Sequence, residues 1–244
     1  MADFGLLGKN IAYSFSRSYF SKKFESENLL HTYVNFDLET IDLFPETIKG
    51  NPNLRGLNVT IPYKESVIPY LNKLNKKVKE IGAVNTIKFT KKGKLVGYNT
   101  DYYGFKNALK PYLRQKDYKA LILGTGGASK AVAYALKKLN IPYQFVSRKA
   151  KNSNHLTYST LDKNILESYQ LIINCTPLGT FPNIDICPDL PYQCIGKNHI
   201  LFDLIYNPSE TKFLSKGKEH GALTINGQKM LELQAEKSWK IWNS

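Results

Sequence analysis

The chain has 244 residues, 42% of them hydrophobic, with 34 basic against 20 acidic side chains and a formal net charge of +14. That length suits one large or two small domains around a real core, and no apolar run approaches the roughly 18 residues that span a bilayer. The basic residues lie in scattered pairs such as Lys22-Lys23 and Lys137-Lys138, with no basic arm or finger spacing. This argues against a nucleic-acid partner and leaves a positive field suited to small anions, such as a carboxylate or a phosphorylated cofactor.

The opening Met1-Ala-Asp-Phe-Gly5 lacks the basic and apolar regions of a leader, so a cytoplasmic protein is expected. Phe4–Leu7 reads as a short strand, Tyr19–Phe24 opens a helical pattern, Tyr33–Phe36 alternates as a strand and Ile41–Ile48 suits a short helix. Leu57–Thr60 predicts a strand that stops before Pro62. Lys64–Leu74 has helical spacing at Val67, Ile68 and Leu71, although Pro69 removes a helix hydrogen bond. Ala83–Phe89 and Leu95–Tyr98 predict a hairpin through Lys91–Lys94. A second part begins near Gly104. Its wholly apolar strand Ala120–Leu123 is followed by glycines, a helix over Ala128–Leu139, and strands at Pro142–Val146, Leu171–Ile173 and Ile200–Ile205. The three cysteines, Cys175, Cys187 and Cys194, form no C-x-x-C pair, so neither a disulfide framework nor a zinc site is expected and no metal is called for. The last helix, Met230–Trp242, is expected to return to the first domain.

These elements predict an α/β protein: an N-terminal α/β domain over 1–103, with 226–244 packing back on it, and a doubly wound, Rossmann-type nucleotide-binding domain over 104–225.

Three stretches leave polar groups at strand ends: Gly56–Lys64 offers Asn58, Thr60 and Lys64, Gly82–Thr86 offers Asn85, and Gly97–Asp101 offers Asn99 and Asp101. With the strands side by side, one lysine, one carboxylate, amides and hydroxyls meet at one sheet edge. Such a set suits a small polyhydroxylated molecule, and Lys64 with Asp101 is equipped to move a proton. Taken singly, Lys64 and Asp101 read as a structural ion pair, Asn85 as a turn cap and Thr60 as an ordinary strand residue; their convergence favours the chemical reading.

Gly124-Thr-Gly-Gly-Ala-Ser129 follows a strand and opens a helix. Gly124, Gly126 and Gly127 let the backbone approach a pyrophosphate, and the amides through Ala128 and Ser129 form the helix N-terminus that would face it. The third glycine of G-x-G-x-x-G is missing. The second strand ends at Val146-Ser147-Arg148-Lys149, where an NAD enzyme usually carries an acid for the ribose. An acid there would repel a 2′-phosphate, whereas Arg148, with Lys149 and Lys151 near it, suits one, so NADP is predicted over NAD.

These motifs, in this order, resemble the shikimate dehydrogenase family over nearly the whole chain. Phe4–Gly8, Tyr13–Ser16, Gly56–Lys64, Gly82–Thr86 and Asn99–Asp101 are similar to its first motifs. Gly124–Ser129, Ser147-Arg148, Asn174–Gly179, Asp203–Pro208 and Asn226–Leu231 with Gln234 are similar to the rest. The resemblance implies an NADPH-dependent reduction of 3-dehydroshikimate to shikimate, on the route to chorismate and the aromatic amino acids, with the first domain binding substrate. It implies that Ser14 and Ser16 bind the substrate carboxylate near Tyr206. Asn58, Thr60, Asn85, Asp101 and Gln234 would hold ring hydroxyls, and Lys64 would be the catalytic lysine coupled to Asp101. Gly227 and Met230 would lie by the nicotinamide, and Ser147 and Thr176 belong to the cofactor set. Tyr13 stands where the family usually has histidine, and Arg17 where it has proline; Ser14 and Ser16 are intact. Ser14 and Ser16 would also serve as simple helix caps.

Two other readings share these residues: an enzyme of the same fold that uses quinate or NAD, and a sensor that binds NADP and a cyclic acid without turnover. Arg148 speaks against NAD, and the joint presence of Lys64 and Asp101 speaks against a sensor. Members of the family occur as monomers and homodimers, and no interface is legible here.

Overall fold

Alternating apolar runs separated by glycine, proline and asparagine turns produce two sheets in the computed structural model, which describes residues 2–12, 14–114, 117–149 and 155–244. The chain divides into unit 1, Met1–Thr100 with Ala235–Ser244, and unit 2, Asp101–Gln234.

Unit 1 holds β1 (Ala2–Gly8), α1 (Phe15–Ser26), β2 (His31–Asp37), α2 (Phe44–Lys49), β3 (Leu54–Val59), the two-residue β4 (Lys73–Leu74), α3 (Lys76–Ile81), β5 (Thr86–Phe89) and β6 (Leu95–Tyr98). Its six-stranded sheet runs β2-β1-β3-β5-β6-β4. β1 is parallel to β2 and β3, while β5 is antiparallel to β3 and β6. In this register Asn58 lies opposite Thr86 and Leu6, so the polar strand ends converge. One face of the sheet is closed by Leu7, Leu57, Val59, Val67 and Ile87, the other by Phe4, Phe20, Phe24, Ala235 and Trp242.

The helix expected over Lys64–Leu74 does not form. Residues 62–67 are turns, Ile68–Tyr70 is a single 3-10 turn and β4 follows. Pro69 cannot donate a helix hydrogen bond. The apolar spacing that suggested a helix reflects core contact instead: Val67 is buried, with Ile68 and Leu71 against the same cluster. A helix unforeseen in the sequence comes next. Asn75 accepts from Lys77 N at 3.1 Å to cap α3, and Gly82 ends it at φ +73°, the left-handed conformation that glycine adopts without a Cβ penalty.

Unit 2 holds α4 (Asp101–Leu109), β7 (Ala120–Leu123), α5 (Gly127–Lys138), β8 (Tyr143–Ser147), β9 (His155–Thr157), α6 (Lys163–Ser168), β10 (Leu171–Asn174), β11 (Ile200–Asp203), α7 (Lys212–Glu219), β12 (Leu223–Ile225) and the first part of α8 (Gln228–Trp242). All strands are parallel in the order β12-β11-β10-β7-β8-β9. The first strand lies centrally and the order reverses between β7 and β10, which is the doubly wound arrangement; ligands of such sheets bind at that reversal. Both β7 and β10 are buried throughout, as strands covered on two faces must be.

The end of α8 belongs to unit 1. There Trp242 stacks on Phe4 with ring centroids 5.0 Å apart and donates its indole N–H to Ile87 O at 3.0 Å.

Candidate active site

In unit 1 the candidate substrate residues are tied together by the loops that follow the strands. Thr60 N donates to Leu7 O at 2.9 Å, Val59 N to Asn85 O at 2.8 Å, and Val84 N to the carbonyl of Lys64 at 2.7 Å. The last of these fixes the half-buried Lys64 against the Gly82–Thr86 loop. Asn99 Nδ2 donates to Ala83 O at 3.0 Å and braces the same loop from the next motif.

Beneath these loops runs a buried hydrogen-bond network. The Tyr33 hydroxyl donates to Asn58 Oδ1 at 2.9 Å. Asn58 Nδ2 donates to Ser238 Oγ at 3.0 Å. Ser238 Oγ lies 2.9 Å from Thr86 Oγ1 and 3.1 Å from Thr100 Oγ1. Asn85 Oδ1 accepts from Thr100 N at 2.6 Å and from Thr86 Oγ1 at 3.0 Å. Burial pushes the Tyr33 hydroxyl well above its usual range, so it stays neutral as a donor. Asn58 and Asn85 are thus joined in one system, and Ser16 is buried on α1. Ser14 caps α1, with Oγ accepting from Arg17 N at 3.4 Å; the capping reading holds for this residue, and its own O–H remains a donor. Tyr13 and Lys151 lie outside the described residues.

In unit 2 the glycine loop sits at the sheet reversal. Gly124 takes φ +101°, and a Cβ there would press on Thr176 Cγ2 at 3.2 Å, so β7 and the segment after β10 pass closely without a side chain between them. Gly126 caps α5 without a side-chain bond, and a Cβ added to it would meet nothing within 4 Å. The first turn of α5 has no acidic residue. Unshielded amides, open space and no opposing charge fit a phosphate bridge. Ala128 is half-buried, and Ser129 is buried with its Oγ lacking a hydrogen-bond partner. Ser147 ends β8 with Oγ donating to Lys149 O at 2.6 Å, and Arg148 beside it is exposed. Its exposed guanidinium fits a 2′-phosphate.

Around β10 and β11, Asn174 Oδ1 accepts from Thr176 Oγ1 at 2.6 Å, while Asn174 Nδ2 donates to Asp203 Oδ1 at 3.0 Å. Asp203 also accepts from Ile205 N at 3.0 Å and from Thr211 Oγ1 at 2.6 Å. Burial outweighs these three donors and raises its carboxyl to about 7. The cluster anchors Thr176 and the chain entering the half-buried Tyr206. Gly227 N donates to Ile205 O at 2.9 Å and α8 begins there; Met230 and Gln234 are buried against the side-chain-free face of Gly104 on α4. Asp101 is buried at the first position of α4.

Residues 6–87 match the family profile described as the shikimate dehydrogenase substrate binding domain. A shikimate dehydrogenase (NADP(+)) of Clostridium botulinum strain Hall is 40% identical over an alignment of 248 positions that covers 98% of this chain and 95% of the relative. The chain belongs to the shikimate dehydrogenase family. Among solved structures, shikimate dehydrogenase 1 from Peptoclostridium difficile is 39% identical with a TM-score of 0.89, covering 100% of this chain and 92% of that one. Shikimate 5-dehydrogenase from Thermus thermophilus, in complex with NADP(H) and shikimate, is 29% identical with a TM-score of 0.87, covering 99% of this chain and 93% of that one.

Within this shikimate dehydrogenase fold, four hydroxyl residues of the network were not singled out by sequence reasoning: Tyr33, Thr86, Thr100 and Ser238. Thr86 and Thr100 stand beside Asn85 and Asp101 in the motifs themselves, and Ser238 lies four residues after Gln234, on the same face of a helix. Asp203 was quoted within a motif and given no role; a carboxylate ending an apolar strand was the available signal.

Proposed function

We propose that this chain is an NADP-dependent shikimate dehydrogenase that reversibly reduces 3-dehydroshikimate to shikimate. The observation that carries the reading is 40% identity, across 98% of the chain, to a shikimate dehydrogenase (NADP(+)), and Lys64 and Asp101 are both present to perform the proton transfer.

Bound NADPH would supply the hydride. As an ammonium ion, Lys64 stabilises the negative charge that develops on the substrate carbonyl oxygen and delivers its proton to that oxygen. In the reverse direction, neutral Lys64 takes the alcohol proton. Asp101 orients the lysine and a ring hydroxyl. Ser14 and Ser16 hold the carboxylate with Tyr206, and Asn58, Thr60, Asn85 and Gln234 hold ring hydroxyls. On the cofactor side, the amides from Gly124 through Ser129 would hold the pyrophosphate, and Arg148 with Ser147 beside it would bind the 2′-phosphate. Thr176, Gly227 and Met230 would complete the cofactor set toward the nicotinamide.

Absorbance of the reduced nicotinamide, followed after mixing the protein with shikimate and NADP+, tests the assignment. Rapid NADPH formation is expected, with slower reaction when NAD+ replaces NADP+ or quinate replaces shikimate. Binding of both ligands without absorbance change would overturn it in favour of a sensor.

We also place the enzyme in the cytoplasm, as a monomer or homodimer acting on a small molecule, without a nucleic-acid or membrane partner. Its three cysteines are free, which fits a reducing compartment. Among the described residues no helix is long and apolar enough to cross a membrane.

A further inference from the structure

Three fully buried hydroxyls, those of Thr86, Thr100 and Ser238, lie within 3.2 Å of one another. Two come from the sheet and its exit, and the third comes from the C-terminal helix. Distances alone leave the direction of these bonds open, but the groups at either end do not. Asn58 Nδ2 only donates, and its identity is set by the Asn85 backbone carbonyl at 3.4 Å, which only accepts. Asn85 Oδ1 only accepts, and its identity is set by the Thr100 backbone N–H at 2.6 Å, which only donates. Two consistent paths join them, both through Ser238, and the longer-bonded one runs from Ser238 to Thr100 Oγ1 at 3.1 Å and on to Asn85 Oδ1 at 3.2 Å. The shorter-bonded one runs through Thr86. Asn58 donates to Ser238 Oγ, Ser238 donates to Thr86 Oγ1, and Thr86 donates to Asn85 Oδ1, at 3.0, 2.9 and 3.0 Å.

We propose that Ser238 is a positioning residue for substrate recognition, the central link of a directed hydrogen-bond network that holds the amides of Asn58 and Asn85 together in the orientations their backbone partners select. This rests on the reading of both asparagines as ligands of ring hydroxyls. An amide reversed about its last torsion exchanges a donor for an acceptor and would present the wrong group to a hydroxyl. In a buried chain the bonds polarise one another, so the cost of reversing either amide is shared by the whole path. The device is economical in contacts: a helix nearly two hundred residues away in sequence, with an Asn58–Ser238 separation of 180 positions, supplies one oxygen that two substrate residues depend on.

The test is steady-state kinetics on Ser238→Ala, which removes the link that both paths share, and on Thr86→Val, which removes the shorter-bonded path and one donor to Asn85 Oδ1, with thermal melting measured alongside. The expected result for both is a shikimate KM raised about three- to thirty-fold, the NADP+ KM unchanged and kcat within about three-fold of wild type, the range for loss of one buried hydrogen-bond link. Combining Ser238→Ala with Asn58→Ala should add little to Asn58→Ala alone, because both act on one path. An unchanged shikimate KM in both single variants, or KM values for shikimate and NADP+ rising together with a lowered melting temperature, would overturn the positioning role. A wild-type chain that neither turns over nor binds shikimate by calorimetry would overturn the functional reading and this proposal with it; wild-type turnover with insensitive variants would overturn this proposal alone.

Discussion

Trp242 closes over Gly56. The indole ring occupies the space that a side chain on Gly56 would need, while its N–H donates to the carbonyl of Ile87 on the neighbouring strand at 3.0 Å. The glycine that opens the first polar motif is therefore a seat for the C-terminal helix, and that helix also delivers Ser238 to the network under the site. Gly56→Ala would force the indole out of its seat. Overpacking of this kind costs about 1–3 kcal/mol. The expected outcome is a lower urea midpoint with a changed tryptophan emission; an unchanged midpoint would show that the ring is not locked there.

Replacing the proposed proton donor tests the chemistry directly. Lys64→Ala should lower kcat by about 10²- to 10⁴-fold, the usual contribution of a positioned acid, while fluorescence titration shows NADPH binding close to wild type. Near-normal turnover would remove Lys64 from the mechanism.

Arg148 sits exposed where β8 ends. A charged hydrogen bond to phosphate contributes about 1.5–3 kcal/mol, so Arg148→Ala should raise the KM for NADP+ by about 10- to 100-fold and leave that for NAD+ nearly unaltered. Equal changes for the two cofactors would place the 2′-phosphate elsewhere.

Asp203 supplies a pH signature. Its carboxyl is raised to about 7 by burial, from 3.8 when exposed. Between those values the folded chain holds a proton that the unfolded chain has released. This contribution to stability is fully present below the unfolded value and is lost as pH rises through about 7. Wild type should therefore gain thermal stability relative to Asp203→Asn on acidification across that window. Parallel melting profiles for the two proteins, measured over the same pH range, would contradict the shift.

Much of this protein was legible in residue order. The apolar runs Ala120–Leu123 and Leu171–Ile173 became buried parallel strands, and Ile200–Ile205 did so over Ile200–Asp203, because a strand covered on both faces has no alternation to hide its nature. The glycines at 124, 126 and 127 marked a strand-to-helix turn for the steric reasons that glycine always serves there. The family motifs were visible because each is a short contiguous segment. Where the local signal failed, at Lys64–Leu74, the apolar spacing was real but described contacts to the sheet core, and proline prevented the helix that would have shared that spacing.

Local chemistry thus determined the strands, the phosphate-type loop and the identities of the polar groups at the strand ends. The tertiary structure alone decided which of them are joined. Asn58, Thr86, Thr100 and Ser238 are ordinary polar residues in sequence, and only the β3–β5 register and the return of the final helix bring them within hydrogen-bond distance. A hydrogen bond depends on position to a few tenths of an ångström and is indifferent to separation along the chain. Local sequence pattern therefore names the donors and acceptors, and folding chooses the pairs.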